Sequence, residues 1–145
     1  MNAAAGVAPL PGLVVGVGID AVDIERFRRV LERRPTLADR LFSRRERAQA
    51  AAGGDPVPPL AARFAAKEAV VKALGTGLWS FPLRDVEVVG PAGGPPRIRL
   101  GRRAAESAAR LGVTAWHLWL SAEPPVAMAV ALAEGHAVPA DSGSR

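Results

Sequence analysis

The chain has 145 residues, 19 lysines and arginines against 14 aspartates and glutamates, a formal charge of +5 and no cysteine. The length suits one domain with a modest core, and the missing cysteine excludes disulfides, thiolate metal sites and cysteine nucleophiles. Two histidines, His117 and His136, do not make a multi-histidine zinc site, and no apolar run reaches the ~18–20 residues that span a membrane. The start lacks the basic stretch of a secretory signal, so a cytoplasmic protein is expected. The sequence pI near 11.2 predicts an acidic partner without choosing between nucleic acid, membrane and acidic protein. Arginine dominates the positive charge; Lys67 and Lys72 are the only lysines.

Residues 1–12 are small, contain two prolines and read as a flexible leader. Leu13–Ile19 is an apolar, β-branched run of strand length that ends at Asp20. Asp20 either begins a turn or places a carboxylate at a strand end facing a cleft. Asp23 is the expected cap of a helix whose apolar side is Ile24, Phe27, Val30 and Leu31, and Pro35 ends it. A short turn follows at Leu37–Phe42. Ser43-x-x-Glu46 is a capping box opening another short helix to about Ala52. Nine arginines fall between positions 26 and 47, among them Arg26, Arg40, Arg44 and Arg45. Such a run is either a solvated face or a docking surface.

Gly53–Pro59 reads as a loop. From Leu60 to Leu74 the composition favours a long helix that stops at Gly75. At 3.6 residues per turn, Leu60, Phe64, Val71 and Leu74 fall within about 80° of each other, with Lys67 near the middle of that stripe. Glu68 and Lys72, four apart, share a face at its edge. They are either a surface ion pair worth ~0.3–0.5 kcal/mol, or a carboxylate and an amine held beside a glycine turn, able to clamp a cation and a polyphosphate. Leu78, Trp79 and Phe81 line a groove or join the core. Asp85–Val89, with one solvated face, pairs with Arg97–Leu100 across the turn-rich Gly90–Pro96. A helix from Arg102 to Leu111 stops at Gly112, and strands at Thr114–Ser121 and Val126–Ala133 flank Glu123-Pro124-Pro125. The tail after Glu134 reads as disordered. The sum is one α+β domain over 13–134, with mainly antiparallel strands and a long central helix.

Gly16-Val17-Gly18-Ile19-Asp20, Glu25-Arg26-Phe27, Leu41-Phe42-Ser43-x-x-Glu46 and Arg63-Phe64-Ala65-Ala66-Lys67-Glu68-Ala69-x-x-Lys72-Ala73-Leu74-Gly75-Thr76-Gly77 occur in that order. In this the chain resembles the holo-acyl-carrier-protein synthases, the small single-domain 4′-phosphopantetheinyl transferases, from about Val15 to Glu134. The resemblance implies transfer of the phosphopantetheine arm of coenzyme A to a serine of an apo-acyl carrier protein of fatty-acid or polyketide synthesis, releasing adenosine 3′,5′-bisphosphate. It implies that Asp20 and Glu68 hold Mg²⁺, in keeping with that ion's preference for one or two carboxylates plus phosphate oxygens. Lys72 is then expected near the phosphates, stabilising or protonating the leaving group. Glu68, directly or through a water on the metal, is the candidate base. Arg63 and the Gly75-Thr76-Gly77 turn are expected to bind the coenzyme. Arg26, Arg40, Arg44 and Arg45 are expected to receive the acidic carrier. Homotrimers with sites at subunit interfaces are typical of the family.

One departure stands out. Where the family has Ser-x-Ser-His, this chain has Trp119-Leu120-Ser121-Ala122. Alanine replaces a histidine expected to assist near the phosphates or the serine proton. His117 is five residues away and faces the other side of a regular strand. On this reading a histidine restored at 122 raises the rate. The alternative is a catalytically impaired relative that binds coenzyme A or carrier protein. A nucleic-acid-binding module has only the charge behind it, with few aromatics and no binding motif.

Overall fold

The computed structural model describes residues 12–77, 80–90, 94–136 and 138. The expected leader up to residue 11, the groove candidates Leu78 and Trp79, the turn tip 91–93 and most of the expected tail lie outside these. Eleven residues, Leu13–Asp23, form β1. The strand runs three residues beyond Asp20, because Asp20 to Asp23 keep pairing with Ala129 to Val126; Asp20 therefore sits within a strand rather than at its end. Asp23 then caps α1 (Ile24–Arg33), its Oδ1 accepting from the Arg26 amide at 2.7 Å. After α2 (Leu37–Leu41), Ser43 and Glu46 make the expected reciprocal capping box at the start of α3 (Arg44–Ala51).

The central helix α4 (Val57–Ala73) begins three residues earlier than expected. Pro58 and Pro59 fit its first turn, where backbone amides have no intrahelical partner to lose. Asp55 Oδ1 accepts from the Val57 amide at 3.1 Å. The expected single apolar stripe is also replaced by burial on most sides: Leu60, Ala61, Ala62, Ala65, Ala66, Lys67, Ala69, Val70 and Val71 are all buried. Phe81 joins the core. A 3₁₀ turn at Leu83–Asp85 leads into β2 (Val86–Val89), which pairs antiparallel with β3 (Arg97–Leu100). Asp85 belongs to the turn, where its Oδ2 accepts from the amides of Arg103 and Ala104 at the start of α5 (Arg102–Arg110). The solvated face expected for β2 is absent. Val86, Glu87 and Val88 are all buried, Glu87 because its carboxylate accepts from the Ser43 hydroxyl and from Arg99.

β4 (Val113–Glu123) and β5 (Val126–Gly135) complete a three-stranded antiparallel sheet in the order β1-β5-β4. One face of it packs on α4. Ala127, Ala129, Ala131 and Ala133 of β5 are fully or almost fully buried there, and the small side chains let helix and sheet approach closely. The approach is closest at β1. A Cβ built on Gly18 would lie 1.7 Å from the Ala69 carbonyl oxygen, and one on Gly16 would lie 1.9 Å from that of Ala73. Only glycine fits these two positions with the helix where it is.

Candidate active site

Those two glycines set the geometry of the site. They bring β1 onto the C-terminal half of α4, so that Asp20 meets the helix face carrying Glu68 and Lys72. The Lys72 ammonium lies 2.9 Å from Asp20 Oδ1 and also donates to the Ile19 carbonyl at 3.1 Å. Lys72 is about half exposed and Asp20 largely buried. Glu68 lines the same groove as Asp20. Burial, and then the facing Asp20 carboxylate, push the Glu68 pKa above its usual value, while Lys72 opposes them. Two carboxylates in repulsion, opposed by a neighbouring ammonium, form an all-oxygen donor set suited to a hard divalent cation that takes its remaining ligands from phosphate or water. Among the described residues no group of three or more His, Cys, Asp and Glu could hold a metal by itself, so the cation would depend on its partner ligand.

The groove has a volume of about 680 Å³ and runs from these carboxylates over largely apolar walls. Phe27 and Phe64 stack within it at 5.3 Å between ring centres. Leu83 forms part of the wall, and Arg26 stands beside it on the first turn of α1. No spacing rule could have found Phe27, Phe64 and Leu83 as a groove, because they come together from three separate elements. Apolar residues at helical spacing were the only local signal.

Not every expected site residue gathers there. Arg63 is half-buried on the side of α4 turned towards α3, donating to the Pro59 carbonyl and to Gln49 Oε1, with its Nε buried and unpartnered among the described residues. Burial holds its pKa down, with Glu46 opposing. The turn after α4 has Gly75 at φ +64°, a conformation that favours glycine. Beside it, Thr76 Oγ1 is buried without a hydrogen-bond partner among the described residues. Of the expected docking arginines, Arg26 reaches the groove, Arg40 and Arg44 are exposed on α2 and α3, and Arg45 lines a separate depression of about 410 Å³ with Arg97 and Arg99. Arg28 and Arg47 are committed to ion pairs with Glu25, Asp55 and Asp39, leaving the other seven arginines of the 26–47 run without one among the described residues.

Position 122 lies opposite Ala127, which in turn pairs with Val22, so Ala122 is two strands across the sheet from β1. Ala122 packs against the core on the helix side of the sheet. His117 points the other way, as strand alternation requires, stacking near Trp119 with its Nε2 2.7 Å from Glu134 Oε2. It does not stand in for a histidine at 122.

Residues 16–131 match the model of the 4′-phosphopantetheinyl transferase superfamily. The holo-[acyl-carrier-protein] synthase of Streptomyces griseus is 48% identical over 126 residues, covering 85% of this chain and all of that protein. The crystal structure of the Neisseria meningitidis holo-[acyl-carrier-protein] synthase superimposes with a TM-score of 0.76 at 31% identity, over 84% of this chain and 99% of that one. A Bacillus anthracis holo-(acyl-carrier-protein) synthase, solved in complex with CoA (3′,5′-ADP), aligns with a TM-score of 0.68 at 28% identity, over 84% of this chain and 97% of that one. With its sequence motifs meeting in one groove and its fold shared over nearly the whole length of these relatives, the chain belongs to the 4′-phosphopantetheinyl transferase superfamily.

Proposed function

We propose that this protein transfers the 4′-phosphopantetheine group of coenzyme A to a serine of an apo-acyl carrier protein, using one domain that spans residues 13–134. The observation that carries the reading is the meeting of Asp20, Glu68 and Lys72 at one end of an apolar groove. In the reaction the serine oxygen forms a bond to the phosphorus that bears the pantetheine arm. The bond from that phosphorus to the bridging oxygen breaks, and adenosine 3′,5′-bisphosphate leaves. Glu68, directly or through a water, takes the serine proton. The half-exposed Lys72 ammonium, beside Asp20, stabilises the charge that gathers on the leaving phosphate. The Asp20 and Glu68 carboxylates would hold Mg²⁺, which when bound neutralises the pyrophosphate and polarises the attacked phosphorus. The groove takes the pantetheine arm. The Gly75-Thr76-Gly77 turn, with Gly75 and Gly77 exposed, and Arg63 bind the rest of the coenzyme, in keeping with the family resemblance.

Exposed Arg26, Arg40, Arg44 and Arg45 receive the acidic carrier and orient its serine towards Glu68. None of the described helices is long and apolar enough to cross a membrane, in keeping with a cytoplasmic carrier as partner. The reading is tested by incubating the protein with coenzyme A, Mg²⁺ and an apo-carrier and weighing the carrier. A gain of one phosphopantetheine arm, absent with Glu68→Ala, is expected. Ala122 favours a second reading, a coenzyme or carrier binder without efficient transfer, and no mass gain with several carriers alongside measurable coenzyme binding would select it.

A further inference from the structure

Lys67 takes no part in the chemistry above, yet its side chain and that of Glu46 are completely buried. Its ammonium spends all three donors inside the protein: on Glu46 Oε2 at 3.0 Å, on the Leu83 carbonyl at 3.2 Å and on the Val86 carbonyl. Glu46 is just as fully used, accepting from the Ser43 amide on Oε2 at 2.9 Å and from the Val88 amide on Oε1 at 3.0 Å. The segment from Leu83 to Val88 is thus stitched to α4 and α3 at three points. Stability alone does not account for a pair placed here, since a buried ion pair is commonly matched or bettered by apolar side chains of the same volume. What the stitching does fix is a distance. Leu83 lines the groove together with Phe64 and Glu68 of α4, and Lys67 lies between these two in the helix.

We propose that Lys67 is a positioning residue of the transfer site, fixing Leu83 against α4 and so setting the width of the groove beside Glu68 that the coenzyme's arm must fit. The proposal rests on the transferase reading. It separates from a merely structural role by one kinetic distinction. Loss of stability lowers the folded fraction, and with it the maximal rate, but leaves each folded molecule's affinity for coenzyme A unchanged. A shifted wall changes that affinity.

The test is the paired substitution E46Q/K67M, which leaves no unpaired buried charge, with coenzyme A binding measured by calorimetry in Mg²⁺ and transfer kinetics measured beside the wild type. The expected result is coenzyme binding weakened about tenfold per folded molecule, or ~1.4 kcal/mol, a matching rise in KM and a smaller change in kcat. Unchanged binding and KM in a folded variant overturn the proposal. Should the pair fail to fold, Leu83→Val trims the same wall while leaving Lys67 and Glu46 in place. It is expected to weaken binding in the same direction, and unchanged binding there overturns the proposal equally. A wild type that neither binds coenzyme A nor transfers would bring down the transferase reading and this proposal with it, whereas an active wild type with indifferent variants brings down this proposal alone.

Discussion

A carboxyl pushed up by burial and by a second carboxylate changes its affinity for protons and for cations together. Glu68 is in that position, with Asp20 facing it in the groove. In the folded protein without metal its pKa stands above the reference value of 4.5. The folded state therefore holds the proton more tightly than the unfolded chain. That contribution to stability is fully present below the unfolded pKa and is lost as pH rises through the folded one. A divalent cation reverses the preference, because it requires the ionised form. If Glu68 holds Mg²⁺ as proposed, the ion and the proton compete there. Titrating transfer activity with Mg²⁺ at a series of pH values is expected to show half-saturation rising as pH falls through the raised Glu68 pKa, approaching about tenfold per pH unit below it. Calorimetric Mg²⁺ binding to Glu68→Gln is expected to lose this dependence along with most of its affinity. A half-saturation flat across that range would remove Glu68 from the metal site.

Two elements, β1 and α4, hold the site together, and their contact is backbone against backbone. At Gly18 a methyl group would meet the Ala69 carbonyl at 1.7 Å, far inside any tolerable contact. The neighbour is helix backbone in a packed core, so the strand has to retreat, carrying Asp20 away from Glu68 and Lys72. Gly18→Ala is expected to destabilise the fold by about 1–3 kcal/mol, the usual cost of overpacking. It is also expected to raise the Mg²⁺ requirement of whatever folds. Gly53→Ala, where an added methyl meets nothing within 4 Å, is the control and should change neither. A Gly18→Ala protein with normal Mg²⁺ dependence would show that Asp20 does not depend on this approach. The same contact marks how far the sequence could be read. The caps at Asp23 and at Ser43 with Glu46 were legible because they involve residues three apart. Asp20, Glu68 and Lys72 were legible as a set through their motif. The rest depended on partners distant in the chain. Asp20 looked like a strand end until Ala129 of β5 paired with it, and the α4 alanines, outside the expected apolar stripe, are buried only because the sheet covers them. Lys67 fell in the core stripe on helical geometry alone, but nothing local revealed that Glu46 and the Leu83 and Val86 carbonyls would meet it.

On the scale of the molecule, the three-stranded sheet is covered on one face only among the described residues. Its outer face carries rows that cross all three strands: Ile19, Val130 and Trp119 in one, Val17, Leu132 and His117 in the next, Ala21, Met128 and Ser121 in a third. Val17, Ile19, Trp119 and Met128 are each about half exposed. Contiguous apolar surface of this kind on a small protein marks an interface rather than a resting surface. The arginines fall elsewhere, along the helices between positions 26 and 47, so the acidic carrier and the covering partner need not compete for the same ground. The family resemblance points to two further copies of the chain as that partner. Trp119→Glu places a charge in this exposed face on β4, two strands across the sheet from β1 and on the face away from α4. Light scattering is expected to give the wild type a mass about three times that of the 15.1 kDa chain and the variant a mass near the single chain. If sites are completed across subunits, transfer should fall together with assembly although every site residue of the single chain is intact. A wild type that is monomeric while active, or a Trp119→Glu variant that still assembles, would show that the sheet's outer face is covered by something other than its own copies.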